Sequence, residues 1–316
     1  MRKVIHDIRL MTKCCMLYYE EHFSQQQISD ILGLSRPTVS RILKHAKDTG
    51  IVEIKIVQNS QGNYEDLERQ LEKKFGLKEV IIVDDKTNSQ GQKAELGKAA
   101  AKYLERTLKH QDIVGVSMGT TIKEISNFIE QNDRLNVTFI PLIGGVGQVW
   151  IDIHPNQIVR DLAQVFGGEV RLLHAPAVLS NESIKSNLKM DKSIQQIMKD
   201  MNAIELAVVG IGVPTDKRST MMATGYFQEE DIRIFEKKKA VGDICLQFYD
   251  INGNTDQFDF NRNVFGIEIE RLRKINKVLG VAGGCEKAEA IIGAIQGKYI
   301  NILVTNYSCG RKLLER

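Results

Sequence analysis

Thr120 and Thr121 follow Gly119 where an apolar run over 113–116 gives way to a helical pattern. With Ser117 and Met118 they make a short loop whose backbone N–H groups and hydroxyls, at a helix start, suit a phosphate. Gly144 and Gly145 follow a second apolar run that ends at Leu142, and Gly210 and Gly212 stand in a loop after a third. In a fourth loop Gly283 and Gly284 precede Cys285, Glu286 and Lys287, which puts a lysine able to neutralise an anion beside a helix start. Asp243, after Gly242, adds a carboxylate able to accept hydroxyl hydrogens from a sugar. Plainer readings stand beside these: glycines after strands also serve only as tight turns, Lys287 as a solvated helix residue and Asp243 as a cap.

A different chemistry is concentrated near the N-terminus. Ser24 is an N-cap before a helical run in which Ile28, Ile31 and Leu32 share a face, and Gly33 ends that run in a left-handed turn. Leu34 then turns inward. Ser35 is a second N-cap, and Pro37 sits in the first turn of the next helix, where its missing N–H costs nothing. Val39, Ile42 and Leu43 recur at helical spacing, which leaves Arg36, Thr38, Ser40, Arg41 and Lys44 on the opposite, basic face. Two short helices with this turn form a helix-turn-helix, whose second helix presents its N-terminal residues to base edges in the major groove. Arg36 or Arg41 fits a bidentate contact to guanine, and Thr38 or Ser40 a thymine methyl or a phosphate. Gln25 opens the first of the two helices. Residues 9–21 read as a helix before the motif, and the alternation over 51–57 as a strand, half of a wing.

Composition supports a division of labour. Residues 1–58 hold nine Lys and Arg against six Asp and Glu, a surplus of three that equals the formal charge of the whole chain. The N-terminal piece therefore approaches DNA while the remainder carries no polyanion signature. At 316 residues and 42% hydrophobic content, about two domains with a sizeable core are expected. No run is long enough to span a membrane and no signal peptide precedes the first helix, so a cytoplasmic protein is expected. The five cysteines, Cys14, Cys15, Cys245, Cys285 and Cys309, show no C-x-x-C spacing. They read as buried small hydrophobes, with neither disulfides nor a metal site.

The elements that position these residues follow from periodicity. A helix over 64–75, with Tyr64, Leu67, Leu71 and Phe75 on one stripe, connects the two parts after a polar break and is a candidate for subunit pairing. Beyond it, strands are expected at 80–83, 113–116, 137–142, 170–173, 206–211, 278–282 and 301–305, and helices at 95–110, 121–130, 158–166, 193–201 and 286–295. Apolar strands without strict alternation, separated by helices, predict a largely parallel sheet covered on both faces. In such α/β sheets ligands bind beyond the carboxyl ends of the strands, where the glycine loops lie.

Six pieces, in order, resemble one family: Gln25-Gln26-Gln27-Ile28-Ser29, Ser35-Arg36-Pro37-Thr38-Val39-Ser40-Arg41, Gly115-Val116-Ser117-Met118-Gly119-Thr120-Thr121, Pro141-Leu142-Ile143-Gly144-Gly145, Ala240-Val241-Gly242-Asp243-Ile244-Cys245 and Val281-Ala282-Gly283-Gly284. The chain is similar, over nearly its whole length, to SorC-type sugar-responsive transcriptional regulators, close to the deoxyribonucleoside regulator branch. The resemblance implies a Rossmann-like effector domain related to sugar-phosphate isomerases and deaminases. It implies phosphate binding at Gly119, Thr120 and Thr121, with contributions from Gly144, Gly145, Asp243 and Lys287, and a cover made by His154, Asn156 and Gln157. It also implies a homodimer or homotetramer, and repression of catabolic genes relieved by the effector. Two positions depart from the pattern: Ile143 stands where that branch has an imine-forming lysine, and Asn306 where relatives commonly carry Asp.

The sequence thus predicts a winged helix-turn-helix domain over 1–57, a linker helix over 58–76 and an effector-binding and oligomerisation domain over 77–316. The expected partners are operator DNA and a phosphorylated sugar or polyol, with no cofactor. An enzyme with an appended DNA module is the alternative. Asp243 and His154 are its acid–base candidates, but no second carboxylate or His–Asp constellation is readable near the glycine loops. A second domain that only oligomerises is a simpler rival.

Overall fold

The computed structural model describes residues 7–53, 64–130, 135–145, 153–215, 222 and 225–316. Two compact units divide the chain, Met1–Asn63 and Tyr64–Arg316.

In the smaller unit the helices Ile8–Cys15, Gln25–Leu32 and Arg36–Asp48 close over Met11, Cys14, Leu17, Ile28, Val39, Ile42, Leu43 and Ala46, all buried. Local chemistry sets the boundaries. Ser24 and Gln27 form a reciprocal capping box, and Gly33 ends the second helix at φ 62°. Ile31 does not face the core as its spacing predicts: it is 52% exposed. Ile28 and Leu32, four apart, take the inward stripe and turn Ile31 to solvent. Of the strand expected over 51–57, residues 51–53 are irregular and the rest lies outside the described residues.

The larger unit is built on seven parallel strands. They are β1 (Glu79–Val83), β2 (Ile113–Val116), β3 (Thr138–Pro141), β4 (Glu169–Val170), β5 (Leu206–Gly210), β8 (Lys277–Val281) and β9 (Ile302–Asn306), in the order β1-β9-β8-β5-β2-β3-β4. Alternate side chains feed two cores. Leu206 and Val208 belong to one and Ala207 and Val209 to the other, and Leu279 and Val278 divide likewise. Both faces are therefore apolar and must be covered, which explains the unbroken hydrophobic runs. Helices Ser89–Thr107 and Pro155–Phe166 cover one face, and Glu65–Phe75, Lys192–Asn202 and Ala288–Gln296 the other.

Several elements differ from their expected forms. Helix 95–110 begins at Ser89, because the Asn88 side chain accepts from Gly91 N–H and caps it. The helix expected at 121–130 is one α-turn, Thr120–Lys123, followed by a 3-10 segment, Glu124–Phe128. The strand at 170–173 shortens to β4. A hairpin of β6 (Gly242–Ile244) and β7 (Gln247–Tyr249) escapes periodicity because each strand has only three residues. Its turn places Cys245 and Leu246 at φ 53° and 59° without the Asn-Gly signal that marks such turns. Helices Glu182–Leu188, Glu229–Lys237 and Tyr307–Glu315 are also additional to the expected set. Cys285 is exposed, against the expectation for all five cysteines, because it follows Gly284 at a surface turn. No helix among the described residues is long and apolar enough to cross a membrane.

The helix set apart as a connector, Glu65–Phe75, packs into the larger unit: Leu71 is fully buried, and Lys74 Nζ donates to Leu314 O at 2.7 Å. Leu71→Ala should lower the stability of this unit by about 2–5 kcal/mol in chemical denaturation, the range for a buried leucine. A loose connector would lose less than about 0.5 kcal/mol.

Candidate functional site

Strand order reverses between β2 and β5. From β2 the chain moves to β3 and β4 on one side, and from β5 it leads to β8 and β9 on the other. Loops leaving the carboxyl ends of β2 and β5 diverge and open a crevice there. Ser117, 1% exposed, shapes its floor: its N–H donates to Val208 O at 2.9 Å and its hydroxyl accepts from Gly210 N–H at 2.9 Å. Its hydroxyl is thus part of the scaffold.

Above this floor lies a cavity of about 470 Å³. Met118, Gly119, Thr120 and Thr121 enter it from β2, Gly212 from β5, Asp243 from the β6–β7 hairpin, and Gly283 and Lys287 from β8. Gly119 has φ 138°, open only to glycine, which lets the chain turn into the short helix at Thr120. The first N–H groups of a helix have no intrahelical partner, so they face outward as donors. Gly212 is required for a different reason: a Cβ there would lie 2.0 Å from Asp243 Oδ1.

Asp243 carries the unusual electrostatics. It is 7% exposed, and its Oδ1 has no hydrogen-bond partner among the described residues. Burial raises its pKa from 3.8 to about 6, against the opposing pull of the Leu246 N–H and the Lys287 charge. Lys287, partly buried, donates to Ile211 O at 2.8 Å. Burial lowers its pKa and Lys93 adds to that, while Asp243 opposes both. Lys93 also lines the cavity, from the helix after β1. Sequence reading overlooks it because Lys93 lies on a helix beyond the loop after β1, and only the strand order brings that helix to the cavity.

Five residues in the implied ligand set lie outside this cavity. Gly144 N–H donates to Phe265 O at 2.9 Å and Gly145 N–H to Ala175 O at 2.7 Å. His154 caps the Pro155–Phe166 helix, its Nδ1 accepting from Asn156 N–H at 3.2 Å, and its Nε2 would lie 2.7 Å from a Cβ at Gly145. Burial, then Arg160, lowers its pKa. The Asn156 amide is taken by both backbone groups of Leu173, and Gln157 bonds Asp161 at 2.7 Å. Ile143, 1% exposed, forms a backbone bridge with Gly266.

In the smaller unit Arg36, Pro37, Ser40, Arg41 and Lys44 are exposed on the Arg36–Asp48 helix. The Ser35 and Thr38 hydroxyls pair at 2.8 Å across its first turn. Gln25, Ser40 and Lys44 share a groove with Tyr18, Tyr19 and Lys47. Lys47 lies 5.7 Å from the centroid of the Tyr19 ring. It continues the stripe of Ser40 and Lys44 at helical spacing, a signal present in the sequence but not used.

The raised pKa of Asp243 fixes the sign of a pH effect. The folded state holds a proton that the unfolded chain has already released between pH 3.8 and about 6, so the group's cost is complete above 6 and gone below 3.8. Asp243→Asn should therefore raise the thermal midpoint of the ligand-free protein at pH 8, by at most about 3 kcal/mol of stability. That advantage should vanish by pH 4 in a differential scanning series; a gap that widens on acidification would contradict the assignment.

Residues 60–315 match the family described as "Putative sugar-binding domain", and residues 17–61 match the Crp-like helix-turn-helix domain. The deoxyribonucleoside regulator of Bacillus subtilis (strain 168) is 34% identical over 311 residues, 97% of each chain. The sorbitol operon regulator of Klebsiella pneumoniae is 34% identical over 312 residues, 98% of each chain. The crystal structure of full-length SorC from the same organism aligns with a TM-score of 0.73 and 34% identity over 98% of this chain and 99% of its own. These relatives are transcriptional regulators, which favours that reading over a sugar-phosphate isomerase or deaminase. The chain belongs to the SorC family of DNA-binding transcriptional regulators, which carry a helix-turn-helix beside a sugar-binding domain.

Proposed function

We propose that this protein represses carbohydrate catabolism genes in the cytoplasm and is controlled by a phosphorylated sugar or polyol bound non-covalently between β2 and β5. One observation carries the ligand class: the cavity joins a buried carboxylate oxygen, without a partner among the described residues, to a lysine and a helix start. Thr120, Thr121, the N–H groups around them and Lys287 suit a phosphate. Asp243 suits a hydroxyl donor, since an unpaired buried acceptor costs about 1–3 kcal/mol that a ligand hydroxyl would recover. The volume suits a small, compact ligand. Ile143 offers no amine for an imine. His154, Asn156 and Gln157 stand in this reading as the cover of the ligand, and Gly144 and Gly145 as a further contributing loop, though none of the five lines the cavity itself. The names of the sorbitol and deoxyribonucleoside regulators agree with a sugar or polyol effector.

Operator DNA is read by Gln25, Ser35, Arg36, Pro37, Thr38, Ser40, Arg41 and Lys44. One helix-turn-helix reads one half-site, so the working form is a homodimer or homotetramer. The effector changes which subunit arrangement is populated, and needs only about 1–3 kcal/mol of coupling to do so.

Fluorescence anisotropy on labelled operator separates the two halves of this reading. Arg41→Glu should weaken operator binding by at least about tenfold, as expected for a lost base or phosphate contact. Thr121→Ala with Lys287→Ala should leave operator affinity intact and raise the effector concentration needed for release by about tenfold or more. Normal effector release by the double variant would move the site elsewhere.

A further inference from the structure

Asn306 ends β9 with both halves of its amide engaged. Its Oδ1 accepts from Gly284 N–H at 2.8 Å, in the loop that carries Lys287, and its Nδ2 donates to Asp85 Oδ1. The residue is 5% exposed, and Gly283 is so close that a Cβ there would lie 2.9 Å from its Oδ1. Asp85 also accepts from the backbone N–H of Ser308 at 3.1 Å and from its hydroxyl, at the start of the Tyr307–Glu315 helix. Burial pulls the Asp85 carboxyl upward, but the Ser308 and Asn306 donors outweigh it and hold it below the usual range. At the neighbouring Asp84, Oδ1 accepts the Tyr64 hydroxyl at 2.6 Å. The Tyr64 ring stacks on Tyr307 with centroids 5.1 Å apart. Tyr64 is the first residue of the larger unit and directly precedes the Glu65–Phe75 helix.

The chemistry at position 306 is selective. The side chain must accept from an N–H on one side and donate to a carboxylate on the other, and an amide does both. An aspartate there would set two carboxylates against each other. Asn306, which departs from the residue expected in relatives, is thus matched to Asp85.

We propose that Asn306 is a positioning residue for effector binding: paired with Asp85, it sets the 283–287 wall of the cavity and ties that wall to Tyr64. An anion that orders Lys287 then also tightens the start of the helix that follows the DNA-binding unit in the chain. The inference rests on the reading of the cavity as an anion site. The route is a set of hydrogen bonds and one ring stack, joined along the backbone at Asp84–Asp85 and at Asn306–Tyr307, which is the kind of network able to bias a two-state element.

Hydrogen exchange of the full chain, with inorganic phosphate as the probe, tests it. In the wild type, phosphate should slow exchange in residues 281–288 and also in 64–75. Asn306→Asp should weaken phosphate binding by about tenfold, a typical coupling for neighbouring groups, and lose both protections. Adding Asp85→Asn restores one amide and one carboxylate and should return both. Tyr64→Phe should keep the phosphate affinity and the protection of 281–288 but lose that of 64–75, a split that a purely structural role would not produce. The inference is overturned if Asn306→Asp behaves as wild type, if the double variant shows no rescue, or if Tyr64→Phe retains protection at 64–75. Absence of phosphate protection at 281–288 in the wild type would instead overturn the anion-site reading, and this inference with it.

Discussion

Parallel hydrogen bonding sends every strand of the large sheet out through the same rim, and the order of the strands reverses once, between β2 and β5. That reversal constrains everything at the site. Two adjacent strands must hand their chains off in opposite directions, so the sheet cannot close over its own edge there. Ser117 spans the gap by bonding Gly210, which fixes the floor without filling it. The surrounding elements then each contribute one group: a helix start from β2, a lysine from β8, a carboxylate from the β6–β7 hairpin. The result sets groups suited to an anion and a group suited to a hydroxyl donor around one cavity.

Asp243 makes this arrangement consequential. Burial raises its pKa to about 6, and one of its carboxylate oxygens has no partner among the described residues. A ligand that supplies a donor improves that environment, so occupied and unoccupied cavities differ in energy and not merely in content. An effector shifts a population of conformations to the extent that this gain differs between them. The cost is tolerated because Lys287 and the Leu246 N–H offset part of it.

Much of the fold was legible from the chain. The capping box at Ser24, the left-handed Gly33 and the apolar stripe Val39, Ile42 and Leu43 lie close together and report local physics directly. The parallel sheet followed from runs such as 206–211, apolar on both faces. What periodicity could not reveal were elements below its resolution. The β6–β7 hairpin turns at Cys245 and Leu246, two residues without turn chemistry, so the carboxylate was visible as Asp243 while the strand that aims it was not. The glycine loops could be picked out but not shown to converge, because convergence depends on strand order, which no local pattern encodes. Lys93 was missed for the same reason, since β1 lies at the far edge yet the helix after it returns over the cavity.

The most direct test of the account is the affinity of the full chain for labelled DNA from upstream of its own gene, measured by fluorescence anisotropy across a panel of phosphorylated sugars and polyols. The account predicts that the chain binds this DNA, that one phosphorylated compound shifts the binding curve, and that its unphosphorylated form does not. DNA binding that no member of the panel shifts, with no panel member bound by the larger unit, would contradict it and leave that unit a role in oligomerisation alone.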